Sequence, residues 1–118
     1  MSSDVVVQLG DRSYPIQFCA EGLGAVGRFA RSLLRPGRCA ILTDENVGPL
    51  YADAIRCSLA AEGFTPHLVV IPAGEGQKTV ETFGRVCEAL LEGGLDRQSL
   101  LVALGGGVVG DIGGFVAA

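Results

Sequence analysis

Gly105, Gly106, Gly107 and Gly110 follow the apolar run Ser99 to Leu104 and lead to Asp111, the only charged residue between Leu101 and Ala118. A strand, then glycines at Gly105, Gly107 and Gly110, then a helix is a pattern that brings backbone N–H groups up to a diphosphate. The same glycines also suit a tight turn and close helix packing with no ligand, and spacing does not separate the two readings. In dinucleotide-binding folds this turn follows the first strand, with an acidic residue about 20 residues later. Here it follows a fourth or fifth strand, so any ribose partner has to come from another loop. Asp111 is expected in the first turn of the segment that follows. A helix dipole favours a carboxylate there by about 0.3 to 1 kcal/mol, and a lone carboxylate among apolar residues is costly unless paired, which points to a partner in the site.

Two further loops carry polar chemistry. In Thr43-Asp44-Glu45-Asn46, Asp44 and Asn46 are short acceptors suited to ribose hydroxyls or, equally, to capping the next helix. In Gly74-Glu75-Gly76-Gln77-Lys78, Lys78 is a cation for phosphate, and Glu75 orients it or accepts from a ligand hydroxyl. The alternative is a solvated loop with Thr79 capping a helix. The single histidine, His67, has no second ligand nearby and reads as structural or solvent-facing. Cys19, Cys39, Cys57 and Cys87 are widely spaced in apolar stretches with no C-x-x-C pair, and read as buried reduced thiols.

The segments between these loops must hold them in place. Val5 to Leu9 and Tyr14 to Cys19, separated by a Gly-Asp-Arg-Ser turn, predict an opening β-hairpin. Helical spacing follows over Leu23 to Leu34, then a strand over Arg38 to Thr43, a helix over Val47 to Glu62 and a strand over His67 to Ala73. A helix then starts at Thr79, with Val80, Phe83, Val86 or Cys87, Leu90 and Leu91 on one face, and Gly93-Gly94 ends it. Ser99 to Leu104 is an unalternating apolar run, which predicts a strand buried on both faces. Strands alternating with helices imply β-α-β units and a parallel sheet. In such sheets the carboxyl ends of the strands form the ligand crevice, so the three loops are expected on one edge.

The 118 residues suit one domain with a real core, and 48% hydrophobic content excludes a disordered or fibrous chain. The apolar runs are too short to span a bilayer. A net charge of −4 with nine scattered Lys and Arg gives no footprint for nucleic acid or an anionic membrane, so an anionic ligand must be held locally. The opening MSSDVVVQLG has no basic and apolar signal pattern, and the expected compartment is the cytoplasm.

GGGVVGDIGGFVAA, preceded by PAGEGQKT and, earlier, LTDENV, resembles the amino-terminal domain of the 3-dehydroquinate synthases, within the sugar phosphate cyclases. The likeness runs through essentially the whole chain in the same order. It implies an α/β fold, with a Rossmann-like parallel sheet, flanking helices and an amino-terminal β-hairpin, in which residues 1–118 form an NAD-binding domain. The all-helical second domain of the family, with its Glu and two His metal ligands, is expected to lie outside this chain, which is then expected to be inactive by itself.

The resemblance further implies a lyase of the shikimate pathway, in aromatic amino acid biosynthesis. Such an enzyme converts a small phosphorylated sugar acid, 3-deoxy-arabino-heptulosonate 7-phosphate, to 3-dehydroquinate and phosphate, with NAD regenerated each turnover and a zinc or cobalt ion polarising the oxidised oxygen. It places Asp44 and Asn46 at the adenosine half of NAD, and Gly74, Glu75, Gly76, Gln77 and Lys78 at the ribose and phosphate region. Gly106, Gly107, Val108, Val109 and Gly110 fall at the diphosphate, and Asp111 towards the nicotinamide. No residue here is assigned to metal or catalysis, and a homo-oligomer is expected. Related cyclases and metal-dependent polyol dehydrogenases also use a glycine-rich turn, though Val108-Val109-Gly110-Asp111 argues against the dehydrogenases. A non-catalytic nucleotide-binding or assembly module is the reading from a different class. Without a second domain, Val109, Ile112, Phe115 and Val116 of a helix apolar all round are expected to lack cover on one side.

Overall fold

β3 (Arg38–Asp44) is the strand on which the rest is built, because Cys39, Ala40, Ile41, Leu42 and Thr43 are all fully buried. In this computed structural model, which describes residues 2–8, 14–19, 22–96 and 99–117, β3 pairs in parallel with β4 (Thr65–Ile71) on one side and β5 (Leu100–Leu104) on the other. The strand order is β4-β3-β5. β1 (Ser2–Val7) and β2 (Tyr14–Cys19) form a separate antiparallel hairpin running from the pair Ser2 and Cys19 to Val7 and Tyr14. The predicted hairpin is present, with its first strand displaced toward the amino terminus, and its Gly-Asp-Arg-Ser turn lies outside the described residues.

Alternation along β3 sends its side chains into two cores. Cys39 and Ile41 join Ala30 of α1 (Val26–Leu33), Ile55 and Leu59 of α2 (Gly48–Ala61) and Phe64. Leu42 joins Val69 and Ile71 of β4, Val86 of α3 (Val80–Glu92), and Val109 and Ile112 of α4 (Gly107–Ala117). The sheet therefore lies between two helical layers, as the alternating pattern predicts.

Four expectations need correction. β5 is half-buried rather than covered on both faces, because in the three-stranded sheet it is an edge and only β3 has neighbours on both sides. On α3 the inward residues are Thr82, Phe83, Val86, Ala89 and Leu90, while Val80 and Leu91 are largely exposed. Thr82 turns inward because its hydroxyl lies 3.1 Å from Thr79 Oγ1, 3.3 Å from Gln77 Oε1 and 3.2 Å from Arg85 Nη2, so it is buried with partners.

α4 is covered on one side only, and the expected lack of cover is met at Phe115 but not at Val109 or Ile112. Val109 and Ile112 are fully buried against β3, β5 and α3 and need no further cover, whereas Phe115 is exposed and stacks on Phe83 with ring centroids 4.5 Å apart. Finally, Cys39 is buried but Cys57 and Cys87 are exposed; the side chain of Cys19 is outside the described residues. Cys57 and Cys87 fall on the outer faces of their helices, where an apolar neighbour in sequence does not imply burial. His67, expected to be structural or solvent-facing, is half-buried and packs over Gly93, where an added Cβ would sit 2.7 Å from the imidazole Cδ2.

Candidate functional site

Because β3, β4 and β5 are parallel, Asp44, Ile71 and Leu104 end on one edge of the sheet, and each is followed by one of the three polar loops. Asp44 Oδ1 accepts from the backbone N–H of Asn46 at 2.9 Å and of Val47 at 2.8 Å, closing the turn that starts α2. The Asp44 carboxylate closes this turn but does not cap α2, whose N-cap residue is Val47 with no side-chain cap bond, so the capping role open to it from sequence is not the one it performs. Asn46 is held through its backbone and presents an exposed side chain.

Glu45 was not foreseen as part of the site. Its N–H donates to Ile71 O at 3.0 Å, and its Oε1 accepts from Ala73 N–H at 3.2 Å, which ties the loop after β3 to the loop after β4. The only signal in the sequence was its place between two candidate residues, and that says nothing about which loop it reaches.

The second loop is a single 3-10 turn, Glu75–Gln77, entered through Gly74. Thr79 Oγ1 accepts from Thr82 N–H at 3.1 Å and so caps α3, as predicted. Gln77 Oε1 accepts from the Thr82 hydroxyl at 3.3 Å, which turns the Gln77 side chain toward the fold. Gly76 is exposed.

Lys78 reaches out of this loop. Its Nζ is 2.9 Å from Asp111 Oδ2 and 3.4 Å from Glu75 Oε2. The hydrogen bond and charge of Asp111, followed by those of Glu75, push the Lys78 ammonium above its usual 10.5, so it is a full cation at neutral pH. Asp111 is the fifth residue of α4 and lies beyond its first turn, which corrects the expected dipole placement. Its anticipated partner is Lys78.

The third loop delivers the amino end of α4. Gly105 has φ of 155°, and a Cβ there would lie 2.9 Å from Val109 Cγ2, so close approach of the turn to the helix requires glycine. The bond from Gly110 N–H to Gly106 O, at 3.1 Å, opens the helix. The N–H groups of Gly107, Val108 and Val109 precede that bond and have no acceptor within the helix. Val109 is buried and can offer only its backbone, while Val108 is half-buried. A Cβ at Gly106, Gly107 or Gly110 would meet no atom within 4 Å, and none of the three has a positive φ. Internal packing does not require glycine at these three positions.

The structure thus joins Glu75, Lys78 and Asp111 beside the open end of α4, and Glu45 links that group to the loop of Asp44 and Asn46. Among the described residues no three His, Cys, Asp or Glu side chains are grouped to hold a metal ion.

The amino-terminal family of 3-dehydroquinate synthases matches residues 68–118, a span containing both the GEGQKT and GGGVVGD segments. The chain is 49% identical over 115 residues to the 3-dehydroquinate synthase of Caldanaerobacter subterraneus subsp. tengcongensis, covering 98% of this chain and 32% of that protein. It is 48% identical over 114 residues to that of Geobacter metallireducens, covering 97% and 32%. The chain is thus similar to 3-dehydroquinate synthases over nearly its whole length, and its match to their amino-terminal family falls on residues 68–118.

The chain spans about a third of the length of the curated relatives it matches. A 2-deoxy-scyllo-inosose synthase complexed with carbaglucose-6-phosphate, NAD+ and Co2+ superposes with a TM-score of 0.82 at 20% identity, covering 98% of this chain and 31% of that one, and shares its fold. A 2-epi-5-epi-valiolone synthase from Streptomyces hygroscopicus subsp. jinggangensis 5008, with NAD+ and Zn2+ bound, superposes with a TM-score of 0.65 at 36% identity, covering 75% and 24%. Among the described residues, no helix is long and apolar enough to cross a membrane.

Proposed function

We propose that this chain is the NAD-binding part of a 3-dehydroquinate synthase acting on 3-deoxy-arabino-heptulosonate 7-phosphate in the cytoplasm. The observation that carries the proposal is the amino end of α4: free N–H groups and glycines that internal packing does not require, on the carboxyl edge of a parallel sheet with a lysine ammonium alongside. Those residues fit a dinucleotide diphosphate. Gly106, Gly107 and Val108 would hold it through N–H groups, with Val109 and Gly110 completing the turn, and Lys78 would neutralise it. Glu75 would accept from a ribose hydroxyl, with Gly74, Gly76 and Gln77 shaping that loop. Asp44 and Asn46 would lie at the adenosine and Asp111 on the nicotinamide side.

When bound, NAD supplies the hydride acceptor and donor for transient oxidation of a substrate hydroxyl. This chain's own part is to bind and orient. Glu75 and Asp111 hold Lys78 at the helix end, so its charge is in place before a ligand arrives. The described residues offer no group of three His, Cys, Asp or Glu side chains that would fit a metal ion, so no step is assigned to one here. The cyclase relatives carry related chemistry, but identity of 49% to a 3-dehydroquinate synthase against 36% to the valiolone synthase favours the former.

Calorimetric titration of NAD into the chain tests the proposal. Saturable binding of one equivalent, weakened at least tenfold in Lys78→Gln, supports it. Absence of binding, or equal affinity in the variant, overturns it.

A further inference from the structure

The other end of β3 carries a second feature that this reading does not use. A cavity of about 510 Å³ opens at the amino edge of the sheet, lined by Arg35, Arg38, Asp96 and Ser99 over an apolar floor that includes Phe64 and Leu100. β3 has seven residues, so at about 3.3 Å per residue this cavity lies roughly 20 Å from Asp44.

Two arginines flank the Pro36-Gly37 turn and face this one space. Among the described residues neither guanidinium has a hydrogen-bond or ion-pair partner. The cavity's one carboxylate, Asp96, is engaged: its Oδ1 accepts from the Ser99 hydroxyl at 3.3 Å. Arg38 is also held in position. Gly94 has φ of 79°, and a Cβ there would lie 3.0 Å from Arg38 Cζ, so the guanidinium rests against backbone that only glycine leaves open. The turn after Gly37 is fixed too, since Gly37 O accepts from Thr65 N–H at 2.9 Å.

We infer that the Arg35 and Arg38 cavity is a second anion-binding site, built for the phosphate group of a small phosphorylated molecule whose apolar or ring portion rests on Phe64 and Leu100. Guanidinium forks match phosphate oxygens in pairs, and a weakly hydrated cation over an apolar floor gives up less water on binding than an ammonium does. The site is separate from the edge of Lys78, so a ligand there need not compete with one at α4.

The test is titration of inorganic phosphate and of a sugar monophosphate into the full chain, followed by calorimetry and by chemical shifts of the arginine side-chain N–H groups. Both ligands are expected to saturate, with the sugar phosphate tighter. Binding should weaken at least tenfold in Arg35→Gln, whose side chain is exposed and contributes nothing to the core, and more in Arg35→Gln/Arg38→Gln. Arg38→Lys, which keeps the charge and loses the fork, should fall between wild type and Arg38→Gln. Lys78→Gln should leave the Arg35 and Arg38 shifts unchanged. Linear, non-saturating titrations, or saturable binding abolished by Lys78→Gln and indifferent to Arg35→Gln, would overturn the assignment.

Discussion

Lys78 Nζ stands 2.9 Å from Asp111 Oδ2, and that contact joins the loop after β4 to the second turn of α4. Both side chains keep solvent contact, with 37% of the lysine and 63% of the aspartate exposed, so water screens the pair and it adds little to folding. Its consequence is positional: a cation is kept at the mouth of the glycine turn.

The pair sets a titration. Because Asp111 and then Glu75 raise the Lys78 pKa, the pair's contribution is fully present below about 10.5 and fades as pH climbs through the raised value. In Asp111→Asn the Lys78 pKa is expected to fall back toward 10.5, read from its Cε and Nζ shifts, with the thermal midpoint at neutral pH nearly unchanged. A Lys78 titration identical in the two proteins would mean the contact does not persist in solution.

Gly105 should be intolerant of substitution for reasons internal to the fold. Gly105→Ala puts a Cβ against Val109 and asks an L-residue to adopt φ of 155°, at a cost of about 1 to 3 kcal/mol. Urea unfolding of the variant measures this directly, and a loss near zero would show that the turn rearranges without penalty.

The Thr43 hydroxyl is fully buried without a hydrogen-bond partner among the described residues. Thr43→Val replaces it with a methyl group of similar size and should raise stability by about 1 kcal/mol, since the cost of an unmet buried polar group is removed. Denaturant unfolding would show the gain; a loss of comparable size would mean that the hydroxyl is bonded in solution, to water or ligand.

Much of this was legible in local sequence. The buried apolar run of β3, the cap at Thr79 and the stops at glycine after α2 and α3 are written in neighbouring residues. What depends on neighbours distant in the chain was not. Ser99 to Leu104 has the composition of a central strand, but sheet order makes β5 an edge. Thr82 looks like a surface residue until Gln77 and Arg85 surround its hydroxyl. At the site, Asp111 announced its need for a partner and Lys78 its need for an anion, yet nothing in their spacing paired them. Glu45, whose side chain crosses to Ala73, had no signal beyond its place between Asp44 and Asn46.

On the proposed function, the glycines opening α4 leave room for a ligand and not for the protein itself. Gly107→Val separates the two most directly, because its Cβ would meet no protein atom within 4 Å. Thermal unfolding and NAD titration should be measured on the same variant. A midpoint close to wild type together with NAD affinity reduced at least tenfold is expected. Unchanged NAD affinity in a folded Gly107→Val protein would contradict it.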